Sequence, residues 1–124
     1  MGPGENYVDM NCHVTTSLFE STADAEYVQY IMPQEHGNHT GCKELHIHGG
    51  LDFYAADTFE INVSKYSAEA LTMANHIDEL VENGAVNIRI DYKVSGIGSN
   101  SCGPALPEQY RMKEKTFEFA FSVK

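Results

Sequence analysis

Over much of this chain apolar side chains return at every second position, the period of a strand with one covered face. Leu45 and Ile47 alternate with Glu44, His46 and His48, and Phe59, Ile61 and Val63 alternate with Glu60 and Asn62. Val86, Ile88 and Ile90 alternate with Asn87, Arg89 and Asp91 in a run that continues through Tyr92 and Val94, and Phe117, Phe119, Phe121 and Val123 alternate with Glu118, Ala120 and Ser122. These runs predict strands at 43 to 48, 58 to 63, 86 to 94 and 117 to 123, with shorter ones at 53 to 54 and 110 to 112. A weak strand is expected at 14 to 21, and the aromatic and β-branched stretch from Tyr27 to Met32, ended by Pro33, reads as extended. By their period, Phe117, Phe119 and Phe121 are expected in the core.

The period changes once. Ser67 suits an N-cap, Glu69 sits in the first turn, and Leu71, Ala74, Ile77 and Val81 recur at helical spacing before Asn83 and Gly84. The half from Asn75 onward reads equally well as extended. Gly2, Pro3 and Gly4 make residues 1 to 12 an irregular lead-in. Many short strands, one short helix and frequent turn signals predict a mostly β fold, an antiparallel β-sandwich, with residues 1 to 124 as one domain.

Charge narrows the partners. Eighteen acidic against eight basic side chains give a formal net charge of -10, which repels phosphate backbones and anionic membrane surfaces. Neither nucleic acid nor a membrane is expected. No apolar run approaches the ~20 residues that cross a bilayer, and MGPGENY lacks the features of a secretion signal, so the chain reads as soluble. Cys12, Cys42 and Cys102 are an odd set at irregular spacing, without paired CxxC steps. Reduced thiols are expected; the compartment is left open, with the cytoplasm favoured.

The richest candidate for chemistry is GIGSNSCGPALPEQYRM, residues 96 to 112. Gly96, Gly98 and Gly103 can adopt backbone angles closed to other residues, Pro104 and Pro107 fix theirs, and Ser99, Asn100 and Ser101 offer short polar side chains. Such a loop can present Cys102 to a ligand, as a contact surface or as a nucleophile. No histidine lies nearby in sequence to activate the thiol, the nearest being His76, and a half-buried small apolar group is the plainer reading.

Other groups invite the same test. His46 and His48 share a strand face, with His36 and His39 upstream, but no carboxylate or thiol completes a recognisable ligand set and a solvated strand face explains them. Asp91 and Glu5 are the acids expected to be buried, where carboxylates more often accept backbone hydrogen bonds than catalyse. No pair of acids stands out in opposed environments, so no complete glycosidase-type site is expected. Tyr7, Tyr54 and Tyr110 could stack on sugar rings, though packing is the commoner role of tyrosine.

Four blocks, GPGENY, STADAEYVQYIMPQEHGNHT, FEINVSKYSAEAL and GIGSNSCGPALPEQYRM, resemble in order the last portion of bacterial β-galactosidases of glycoside hydrolase family two. The resemblance implies the second half of a large final domain, an antiparallel supersandwich similar to the galactose mutarotase fold. It implies retaining hydrolysis of terminal β-galactosides such as lactose by two glutamates in a catalytic barrel that lies earlier in those proteins. None of those residues maps here, and no cofactor is expected in this chain; magnesium is implied for the catalytic domain of the parent enzyme. At the position of Cys102 some relatives place a tryptophan that lines the substrate pocket and others a cysteine. Cys102 is therefore assigned to the pocket wall, with Ser99, Asn100, Ser101 and Gly103 shaping the loop. Val8 and Met10 stand where ENYPDR-like sequences have proline and arginine, and His36 replaces an asparagine of the PQENGN-like run.

The expected function is thus a β-galactosidase fragment supplying structure and a pocket wall, inactive alone, whose partners are the barrel, the galactoside and further copies of the enzyme. A free-standing carbohydrate-binding module and the small subunit of a two-chain β-galactosidase are the alternatives. Half a supersandwich should also expose sheet edges that favour self-association.

Overall fold

The computed structural model describes residues 1 to 98 and 103 to 124. Its elements in chain order are β1 (His39–His46), β2 (Asp52–Ser64), α1 (Ala68–Met73), β3 (Asn87–Asp91) and β4 (Phe121–Val123), with 3-10 turns at Ile77–Glu79 and Glu108–Tyr110. The fold is mostly β with one short α-helix, of β-sandwich type, as the periodicity predicts. All described strands join one antiparallel sheet around β2.

β2 organises the sheet because it is long enough to pair with three neighbours. β1 runs along one edge, from His39 opposite Ile61 to His46 opposite Asp52. β3 and β4 share the other edge end to end, with Ile90 opposite Ile61 and Ser122 opposite Tyr54. The two strands expected at 53 to 54 and 58 to 63 are therefore one, continuous through Asp57 and Thr58. Register shifts between His39 and Cys42 and between Cys42 and Glu44 bend β1 against it.

Several expected boundaries move. β1 starts at His39 and ends at His46, which leaves His48 in a turn closed by Gly49 at φ 70°. Residues 14 to 21 and 27 to 32 carry no strand, Thr15 making only an isolated bridge with Gly2. The strand expected at 110 to 112 is replaced by the 3-10 turn Glu108–Tyr110, entered through Pro107. Ser67 caps α1 as predicted, its Oγ accepting the N–H of Ala70 at 3.2 Å. The helix stops at Met73 because Ala74 turns extended and the Glu79 carboxylate accepts the Asn75 N–H at 2.8 Å, opening a new 3-10 turn.

The apolar core is small: among the described residues Tyr7, Phe59, Leu71, Ala74 and Leu106 are its buried members. Phe59, wholly buried, contributes about 2 to 3 kcal/mol of transfer free energy. The expectation that Phe117, Phe119 and Phe121 are core fails. Phe117 is 57% exposed and Phe121 41%, and Phe119 is half-buried. Only Phe121 of the three lies in a strand, and the rings pack on neighbours along the surface, Phe117 stacking on Tyr92 at 4.4 Å.

Candidate functional site: the root of the glycine-rich loop

The end of the lead-in and the start of the glycine-rich loop meet in space. Tyr7 and Met10 exchange two backbone hydrogen bonds of 3.0 and 2.9 Å, which closes a tight turn with Val8 and Asp9 at its tip. From there the Asp9 carboxylate reaches residues nearly ninety positions on: Oδ1 accepts the Ile97 N–H at 2.9 Å and Oδ2 accepts the Gly98 N–H at 3.0 Å. A carboxylate taking two consecutive main-chain donors fixes their direction as well as their place. The approach requires glycine, since a Cβ at Gly96 would lie 2.6 Å from the Asp9 carboxyl.

This revises the expected role of the glycines. Left-handed φ values occur at Gly37, Gly41, Gly49 and Gly84, and Gly96, Gly98 and Gly103 are not among them. Gly96 and Gly98 serve close approach rather than unusual angles, while Gly103 is exposed, with open space where its Cβ would be. Ser99, Asn100, Ser101 and Cys102 lie outside the described residues.

The turn that aims Asp9 is held from below by buried amides. Asn6, fully buried, donates its N–H to Asn38 O at 2.7 Å, and its Oδ1 accepts from Thr40 N at 2.9 Å and Thr40 Oγ1 at 2.5 Å. Its Nδ2 donates to Gly4 O and Met1 O. Asn38, also fully buried, returns a bond from Nδ2 to Asn6 O at 3.1 Å and gives another to Glu60 Oε2 at 2.7 Å, while its own Oδ1 has no partner. Polar contacts thus run from β2 through Asn38 and Asn6 to the turn carrying Asp9.

Glu60 is the acid that strand alternation misplaces. Its side of β2 should be solvated, yet Glu60 is buried, with Asn38 bonded over it. Burial raises its pKa above the usual carboxylate value, against the bonds from the Asn38 side chain and the Val94 backbone that favour the charged form, and nearby Asp91 raises it further. Glu5 behaves as expected of a backbone acceptor: Oε2 takes the Gly37 N–H at 2.7 Å and Oε1 the Tyr30 hydroxyl at 2.5 Å. Asp91 is half-buried and accepts from Arg89 Nε at 2.6 Å.

The histidines are drawn apart into separate pairings. His46 contacts Glu44 at 2.9 Å through Nε2 and Asp52 at 3.0 Å through Nδ1. His36 is buried, its Nδ1 2.7 Å from Gln34 O, and His39 Nε2 lies 2.6 Å from Glu26. Among the described residues no three His, Cys, Asp or Glu side chains gather as a metal site. Tyr7 is a core residue, and Lys124 lies over the ring of half-buried Tyr54 at 5.1 Å. Two open hollows, one lined by Glu35, Asn62, Tyr66 and Arg89 among others and one by Asp24, Tyr27, Lys65 and Tyr66, include none of the described loop residues.

Sequence reasoning found the loop but missed Asp9. The signal available was its place in the GPGENY block's extension, two residues beyond Tyr7, where an aspartate reads simply as a turn residue.

Sequence comparison with known proteins gives the family. The chain is 41% identical to a β-galactosidase of Actinobacillus pleuropneumoniae over 98% of its own length and 12% of that protein's. It is 35% identical to a β-galactosidase of Staphylococcus xylosus, covering 99% of this chain and 13% of the relative, and 34% identical to that of Kluyveromyces lactis, covering 98% and 12%. It therefore spans about an eighth of the curated relatives it matches. A family model described as β-galactosidase small chain matches residues 1 to 123. The chain belongs to the β-galactosidase small-chain family.

Proposed function

We propose that this chain is the carboxyl-terminal portion of the final domain of a glycoside hydrolase family two β-galactosidase, where it scaffolds the domain and supplies one wall of the sugar pocket. Cys102 is the wall residue, on a loop shaped by Ser99, Asn100, Ser101 and Gly103 and completing a supersandwich. Hydrolysis of a terminal β-galactoside such as lactose takes place on glutamates of a barrel elsewhere in the enzyme, where magnesium also binds, and the enzyme works as a homo-oligomer. The observation that carries this reading is coverage: nearly all of this chain aligns, but with about an eighth of each β-galactosidase.

Two measurements test it. The purified chain should not turn over a chromogenic β-galactoside, and turnover that survives removal of contaminating host enzyme refutes the proposal. In the full-length enzyme Cys102→Ala should raise KM more than it lowers kcat, since wall contacts bind ground state and transition state alike. A loss of kcat by orders of magnitude at unchanged KM would make the thiol catalytic. The family's description favours a second reading, the small subunit of a two-chain β-galactosidase, which co-purification with a barrel-bearing chain would support.

A further inference from the structure

The pocket-wall reading leaves one well-built feature unused. Asp9 is half-buried, has no Lys, Arg or His in ion-pair contact among the described residues, and spends both carboxylate oxygens on the adjacent Ile97 and Gly98 amides. A solvated turn aspartate has no need of such an arrangement. Its mount is rigid, because Tyr7 and Met10 close the turn and buried Asn6 anchors it through Asn38 and Thr40. The receiving side fits as well, Gly96 being the residue whose missing side chain leaves room for the carboxyl. The second amide held belongs to Gly98, so the contact holds the residue that directly precedes the assigned wall residues in the sequence.

We infer that Asp9 is the positioning residue of the sugar-pocket loop: its carboxylate grips the loop root at Ile97 and Gly98 and thereby sets galactoside affinity without itself being a catalytic residue. This rests on the pocket-wall reading above, and it assigns the placement of that wall to a residue 93 positions upstream of Cys102. Main-chain donors held by a carboxylate are worth more than neutral hydrogen bonds, and losing one such contact corresponds to about a tenfold change in an equilibrium.

The test combines a structural and a kinetic readout. In the chain, Asp9→Ala should move the Ile97 and Gly98 amide resonances upfield and speed their hydrogen exchange, with the Asn6 and Thr40 amides unchanged; unmoved Ile97 and Gly98 amides overturn the inference. In the full-length enzyme, Asp9→Ala should raise KM for a chromogenic β-galactoside about tenfold at a kcat within about threefold of wild type. Asp9→Asn keeps one acceptor oxygen and should fall between, which serves if the alanine variant does not fold. Gly96→Ala should raise KM in the wild-type background but much less in Asp9→Ala, because the clash is with the carboxyl itself, and additive effects of the two substitutions count against the inference. If Cys102→Ala raises KM while Asp9→Ala and Asp9→Asn do not, the positioning role is wrong and the wall stands. If the Asp9 variants raise KM while Cys102→Ala does not, Asp9 positions the loop and the assignment of Cys102 to the wall is what fails.

Discussion

Two regions of this protein are held together by opposite means. Around Asn6, Asn38 and Glu60 the interior is polar and almost every buried donor is matched, so the chain is fixed by directional bonds. Around Tyr92, Phe117, Phe119 and Phe121 the groups are aromatic and partly exposed, held by stacking and edge contacts along the sheet. Directional bonds specify position, whereas aromatic contacts supply area and tolerate displacement. The loop root is attached to the polar region, through the turn that carries Asp9.

The comparison breaks most sharply at Asn6. Asn6→Ala deletes bonds to Thr40, Gly4 and Met1 and leaves the buried Thr40 N–H and hydroxyl unmatched, so urea denaturation should show a loss of about 3 to 5 kcal/mol. A change under 1 kcal/mol would mean that the polar interior is not what fixes this region.

Next comes the pair formed by His39 and Glu26, which ties residue 26 to the start of β1. Burial opposes charge on His39, yet the bond to Glu26 and its charge outweigh it and raise the imidazole above its usual 6.5; burial likewise opposes the charged Glu26, and His39 and Ser21 overcome it, lowering the carboxyl below 4.5. The His39 contribution is full below 6.5 and is lost as pH rises through its raised value. The Glu26 contribution is full above 4.5 and is lost as pH falls through its lowered value. His39→Gln should therefore cost about 1 to 2 kcal/mol below 6.5 and progressively less as pH rises through the raised value, read from melts across pH.

Glu60 gives a smaller effect of recognisable sign. Because its folded pKa is raised above 4.5, its contribution is full below that value and is lost as pH rises through the raised one. Glu60→Gln keeps an acceptor for Asn38 and removes the buried charge, so its stability relative to wild type should grow across that rise, read from melts at a series of pH values. The aromatic strip should respond least. Phe117→Ala should cost about 0.5 to 1 kcal/mol, and a double-mutant cycle with Tyr92→Ala should isolate a coupling of similar size.

The sequence was readable where local signals decide structure. Ser67 announces α1, and alternation places β3 and the second half of β2, because capping and side-chain period act within a few residues. It misleads where distant chain supplies the covering. Glu60 sits on the nominally polar face, and nothing near it in sequence says that Asn38 will lie over that face. Phe117 has a core residue's period, but whether a face is covered depends on elements far away or outside the chain. The glycine-rich loop was visible as a loop; its dependence on Asp9 was not, since a contact across 88 residues leaves no periodic trace.

The clamp at residues 97 and 98 takes hold of amide groups, which every sequence but proline carries. Whatever follows Gly98 can accordingly be rewritten while its mounting stays put. An engineer rewriting that stretch has two things to retain, the aspartate whose oxygens take the amides and the bare Cα of Gly96 that admits it.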